Sequence, residues 1–447
     1  LVHPVLIRAQ NPLNRLFLRL GSFRNGWGHC ALNAEPDTKE PDERADDPAT
    51  PAQWLGASRS IGAGYFWFYA AIGALMPFIA LYYRELGFSG VQVGVLTALP
   101  SLGMALFGPL WGAVSDSLAI HRWVLCGSLA LAGVIAFSTS QATAFAPMLV
   151  LIGLLAFASA PVAPLLDSYG MTIGEGTERS YGSLRVWGSV GYMASVLIVG
   201  RLMGDEVSSL LLFAHGAFLA LALLSVRRLP PLAERRALPL LGGLRAIAEN
   251  RPIILLLLVA YLISSGAAVM NIYLGIHIED IGGTPTLIGL AFAVSAASEL
   301  PIIAFGGWFL RRLGAVRLVA LAIIVYAVRF AAFSLIPAPE WLLPIQSLHG
   351  LSYGAFLMAS VTLAHRLAGR EHAATAQALL TAMSFGFGSI TGSIVGGALL
   401  DQIGTAGLFR GAAILMIVVL GVLVAGNHLI GLDRRESVRA DAGRGLA

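Results

Sequence analysis

Charge is what this sequence is short of. Of its 447 residues only 12% are Asp, Glu, Lys or Arg, while 57% are hydrophobic, and the mean hydropathy is +0.76. A soluble domain carries about 25% charged residues, so the surplus apolar surface faces lipid rather than a core. Cysteine is scarce too. Cys30 and Cys126 are the only two, too few for a disulfide framework or a thiolate metal site. No run of ~10 residues alternates apolar and polar, which excludes a transmembrane barrel. The first residues hold no apolar core followed by a small-residue cleavage site, so a secretory signal is not expected. The net charge of +4 comes almost wholly from arginine. Arginine spread through loops sets membrane orientation; it is not a nucleic-acid surface.

What is present is continuous apolar sequence, cut into pieces of about 20 residues, the length that crosses ~30 Å of hydrocarbon. Twelve such pieces are expected, near 61–83, 91–114, 122–140, 145–168, 184–203, 207–226, 252–276, 286–309, 317–336, 341–364, 374–399 and 408–430. With the N-terminus inside, thirteen loop arginines fall on the inner side and three, Arg84, Arg201 and Arg410, on the outer side. Both termini are therefore expected in the cytoplasm of a cell whose inner (plasma) membrane holds the chain. Residues 1–55 read as a disordered cytoplasmic tail, 56–226 as six spans, 227–251 as a basic, Pro-rich cytoplasmic linker, 252–432 as six more, and 433–447 as a second tail. The halves echo each other. At an offset of 195, Gly94 falls on Gly289, Gly112 on Gly307 and Arg122 on Arg317. A duplicated six-span unit suits a transporter whose halves rock about a central site.

Two loops carry a motif. Between spans two and three stands GAVSDSLAIHR, Gly112 to Arg122, with Asp116, His121 and Arg122. Its second copy, GWFLRRLGAVR, holds Gly307, Arg311, Arg312 and Arg317, with Arg311 where the first has its acid. The first loop resembles the cytoplasmic gate motif of the major facilitator superfamily. That resemblance implies an all-α polytopic membrane protein with 12 transmembrane helices in two pseudo-symmetric six-helix bundles, and a gate built from these residues. The sequence departs from the family at Ser117, where a basic residue is favoured, and at Ala119, where glycine is.

Charges inside spans are rare, because each costs about 2.5–3.5 kcal/mol at the helix centre, and they mark function. Asp167 ends the expected fourth span and Arg185 opens the fifth, with a short polar hairpin between them. The stretch YGSLRVWGSVGYMASVLIVG resembles the fifth helix of the lactose permease family and of its relatives, the phenylpropionate permeases. There an acid and an arginine eighteen residues apart bind substrate, the spacing of Asp167 and Arg185. The resemblance assigns substrate contact to this pair and a stacking ring to Tyr192. A guanidinium suits a carboxylate or vicinal hydroxyls equally.

Glu299, Arg329 and His349 lie at similar depth in the second half and are expected to handle a proton. Arg329 and His349 are twenty residues apart, as in lactose permeases, but Ser352 stands where that family has a further Glu. A static Glu299–Arg329 pair is the competing reading. Tyr65 and Tyr69 read as an interfacial aromatic belt or, being four apart, as cavity-lining residues with Asn271. His277, Glu279 and Asp280 read as a solvated edge rather than a metal site. The function expected is proton-coupled uptake of a small organic solute, an aromatic carboxylate of the 3-phenylpropionate kind. The alternatives are a sugar or nucleoside symporter, or an efflux antiporter. No enzyme activity, cofactor or metal is expected; the partners are the solute, the proton and the lipid bilayer, with no nucleic acid, and the chain is expected to act as a monomer.

Overall fold

The computed structural model describes residues 51–175, 180–230, 232 and 240–432. Most of the expected N-terminal tail, the tip of the hairpin after Asp167, much of the linker and the C-terminal tail lie outside the described residues. Within them the chain is all-α. The helices are α1 Pro51–Leu75, α2 Ile79–Glu85, α3 Gly90–Ser117, α4 His121–Thr139, α5 Phe145–Ser159, α6 Val162–Glu175, α7 Tyr181–Met203, α8 Leu210–Val226, α9 Leu240–Ala248, α10 Arg251–Asp280, α11 Pro285–Ala304, α12 Gly306–Leu313, α13 Ala315–Leu335, α14 Leu342–Gln346, α15 Ala355–Thr381 and α16 Ser389–Ile430. Two π-helical turns, Gly350–Gly354 and Ala382–Gly388, lead into α15 and α16.

Nine helical segments among the described residues are long and apolar enough to cross a membrane, and α8 is a shorter apolar helix. The breaks have local causes. A proline cannot donate to the preceding turn, and Pro77 and Pro161 stand between α1 and α2 and between α5 and α6. Ser89 and Gln92 form a reciprocal capping box that starts α3. The last two expected spans run on as one helical stretch, Glu371–Ile430, turned at Gly404, whose φ of 66° and ψ of 177° suit glycine. The fourth span is longer than its apolar run: α6 continues to Glu175. Asp167 therefore lies eight residues, about 12 Å, inside the helix end rather than at it.

The two halves meet at one end. There α3 packs on α16, α7 on α11 and α2 on α10. A Cβ on Gly94 would sit 2.6 Å from the Ser393 carbonyl, and one on Gly200 would sit 2.7 Å from that of Pro285. Only glycine permits such backbone approach between helices. Polar contacts fasten the same end. Arg84 pairs with Glu279 and, at 2.6 Å, with Asp280; the Gly90 amide donates to Asp401 at 2.8 Å; Thr286 donates to the Gly200 carbonyl at 3.3 Å. The contact continues to mid-helix, where Gly386 faces Ala105. Asn271, Thr381 and Phe387, all within helices, are nevertheless exposed.

Candidate functional site

Asp167, Arg185, Tyr65, Tyr69 and Tyr181 form one cluster between α1, α6 and α7. Asp167 Oδ1 accepts from the Tyr65 hydroxyl at 2.8 Å and from the Tyr181 hydroxyl at 3.0 Å. Arg185 Nε lies 3.6 Å from the same oxygen, and its Nη2 donates to the Tyr69 hydroxyl at 2.5 Å. The guanidinium rests 4.0 Å from the centre of the Tyr69 ring and 5.4 Å from that of Tyr65. Local sequence sets this up. Ser180 caps α7 and places Arg185 in its second turn, and Gly188 leaves the room that Tyr69 and Arg185 occupy. Tyr65 is fully buried and bonded to Asp167, so it belongs to this cluster and not to an interfacial belt. Tyr192 stands apart, on the side of Glu299.

In the other half Glu299 Oε1 lies 3.2 Å from His349 Nε2. Tyr353 stacks on the imidazole at 5.3 Å, and His349 Nδ1 is buried with no partner. Arg329 does not pair with Glu299, against the competing reading above. Its guanidinium is fully buried and donates to Ser352 at 2.7 Å, to Gln346 at 2.5 Å and to the Ile345 carbonyl at 3.3 Å. Three neutral acceptors thus surround it. Ser352, the departure from the lactose permease pattern, is one of them.

The loop motifs are placed but not joined. Asp116 is bonded to His121 at 2.8 Å, Arg122 reaches the Leu229 carbonyl at 3.4 Å, and Ala119 has a φ of 52°, the left-handed region that favours glycine. Gly112 has open space around it, and Gly307 sits beside Arg311; Arg311, Arg312 and Arg317 are exposed. Of the expected solvated edge, Glu279 and Asp280 keep 36% and 37% of their side-chain surface exposed. His277 is buried and shares Thr405 with Asp280, while both acids hold Arg84.

Asn271 opens onto a cavity of about 550 Å³, counted with its open mouth, between α10, α15 and the π turns. Sequence reading missed further polar residues of its wall, among them Ser264, Gln377, Thr381 and Ser384. Their spacing was the available signal: 264 and 271, like 377, 381 and 384, repeat on one helical face.

Residues 59–411 match the MFS_1 like family. The chain belongs to that family of the major facilitator superfamily. This member is a transport protein, not an enzyme. It is 32% identical over 392 residues to the maltose permease of Geobacillus stearothermophilus, covering 86% of this chain and 97% of that one. It is 26% identical over 346 residues to the probable 3-phenylpropionic acid transporter of Escherichia coli (strain K12), covering 75% and 89%. Its fold is that of the solved nucleoside transporter NupG, with TM-score 0.75 at 20% identity over 83% of this chain and 98% of the other. The NupG sequence of Escherichia coli is 23% identical over 383 residues. The chain is thus an all-α polytopic transporter of a small molecule.

Proposed function

We propose that the protein is a proton-coupled symporter that takes up a neutral, polyhydroxylated solute of the sugar-glycoside or nucleoside class. The observation that carries this reading is the 3.6 Å contact between Arg185 and Asp167. The guanidinium already has its counter-charge, so a carboxylate solute would compete with Asp167 for it. A neutral diol has no such conflict: it accepts from Arg185 and donates to Asp167, while the Tyr69 ring offers a face for a sugar ring. The relatives support the same choice, since maltose and nucleoside permeases stand beside the phenylpropionic acid transporter. That comparison moves the expected substrate away from an aromatic acid.

The architecture that serves this function is two six-helix bundles, 56–226 and 252–432, joined by the 227–251 linker, with both termini in the cytoplasm. On that orientation the fastened end is the outer one and the cavity opens inward. The Glu299–His349 pair carries the proton, with Arg329 as a fixed positive neighbour, Tyr192 lies near Glu299, and Asn271 contacts solute from the second bundle. The motif loops, through Gly112, Asp116, His121, Arg122, Gly307, Arg311, Arg312 and Arg317, close the inner side when the outer one opens. The test is uptake by proteoliposomes under an inward proton gradient, with maltose, uridine and 3-phenylpropionate as probes. Gradient-driven accumulation of maltose or uridine is the expected result; accumulation of 3-phenylpropionate alone would restore the carboxylate reading.

A further inference from the structure

The two motif loops differ in what their charges touch. In the first, Asp116 bonds His121 at 2.8 Å and Arg122 reaches the Leu229 carbonyl at 3.4 Å, so its charges are met within the first half. The second loop has no acid to do this: none occurs anywhere in residues 300–339. Arg311 and Arg312 lie in the last turn of α12 and Arg317 in the first turn of α13, and all three are exposed. None makes an ion pair or a hydrogen bond to another described residue. Arg311 instead folds back along its own helix, with Nη1 3.2 Å from where a Cβ on Gly307 would stand.

The place of α12 says what meets these cations. Its predecessor α11 starts beside the fastened end, where Thr286 donates to the Gly200 carbonyl. The short helix therefore lies at the opposite end, between the spans Pro285–Ala304 and Ala315–Leu335. One face of it packs inward: Gly306 meets Met358 of α15, and Phe309, Leu310 and Leu313 are partly buried on the core. The other face carries Phe305, Trp308 and Arg312 at i, i+3 and i+7, and Phe305 and Trp308 leave 64% and 51% of their surface uncovered. Exposed rings at the end of a span lie at headgroup level. A guanidinium beside them matches a phosphate in two-point geometry. A zwitterionic headgroup brings its own cation to that phosphate; an anionic one brings the charge that this loop lacks.

We propose that this face binds the headgroup phosphate of an anionic phospholipid, held by Arg311, Arg312 and Arg317, with Phe305 and Trp308 set into the acyl boundary. The site is independent of which solute is carried. The test is native mass spectrometry of the full-length protein in detergent, titrated with phosphatidylglycerol or phosphatidylcholine. The wild type is expected to bind the first about a hundredfold more tightly, about fivefold for each arginine. In Arg311→Gln/Arg312→Gln that preference is expected to fall to about fivefold. Arg227→Gln/Arg228→Gln removes the same charge from two exposed positions after α8 and is expected to keep it. Brominated phosphatidylglycerol is expected to quench tryptophan fluorescence more than brominated phosphatidylcholine does, with most of the excess lost in Trp308→Phe. Equal wild-type affinity for the two lipids would overturn the site. So would an equal loss in the Arg227→Gln/Arg228→Gln variant, which would leave only a net-charge effect. Displacement of the bound lipid by millimolar inorganic phosphate would overturn it as well, giving the arginines to a soluble anion.

Discussion

Glu299 is bonded to His349 at 3.2 Å, and Arg329, the cation that sequence depth places near both, turns away to Ser352 and Gln346. An acid and an imidazole in contact, the acid a quarter exposed, can hold a proton between them and release it when solute or solvent changes their surroundings. Glu299→Gln is therefore expected to abolish solute-driven alkalinisation outside vesicles while solute binding and exchange persist. A pH-sensitive dye outside the vesicles, read beside tracer exchange, checks this. Retained proton movement in the variant would place the coupling group elsewhere.

Arg185 offers a flat, forked cation already aligned by the Tyr69 ring. Arg185→Ala is expected to weaken solute binding by about 3 kcal/mol, roughly a hundredfold in Kd, the scale of lost charge-assisted hydrogen bonds. Lysine at this position is expected to recover less than a tenth of that, because an ammonium cannot make two parallel bonds or stack. Calorimetric titration of both variants checks the pair.

The fastened end is expected to act as a conformational lock. Arg84 is about one-third exposed, which limits its ion pairs to about 1 kcal/mol. Arg84→Ala is expected to shift the balance toward outer-side opening by roughly fivefold at low salt, and less at 1 M salt. Spin labels at Asp205 and Thr284, on loops at that end, report the shift as a larger long-distance fraction in double electron–electron resonance.

Ala119 holds a left-handed backbone conformation that costs a residue with a Cβ about 1–2 kcal/mol. Ala119→Gly relieves that strain but adds freedom to the unfolded chain. The net expectation is a gain of about 0.5–1 kcal/mol, read as a rise in melting temperature of the detergent-solubilised protein. An unchanged or lower melting temperature would contradict the strain.

Much of this was legible in the sequence, and the reason is dimensional. Hydropathy fixes where a residue lies along the membrane normal, so apolar spans and the common depth of Glu299, Arg329 and His349 could be read from runs and counts. It says little about which way a side chain faces. Tyr65 read as either interfacial or cavity-lining, because aromatics favour the interface and its spacing from Tyr69 allows both; only helix packing shows it bonded to Asp167. Arg329 and Glu299 share a depth but not a face, so their pairing could not be deduced. Asp167 and Arg185 were readable as partners because a short hairpin joins their helices and leaves few ways to place them. Gln377, Thr381 and Ser384 carry no charge, and a polar face without charge is easily lost among the alanines of α15.

The account stands most directly on the neutrality of the Asp167–Arg185 site. Equilibrium binding of maltose, uridine and 3-phenylpropionate to the wild type and to Asp167→Asn in nanodiscs measures it. The account predicts that the wild type binds maltose or uridine and not 3-phenylpropionate, and that removing the Asp167 charge weakens the neutral solute while admitting the acid. Tight wild-type binding of 3-phenylpropionate, with no affinity for either neutral solute, would contradict it.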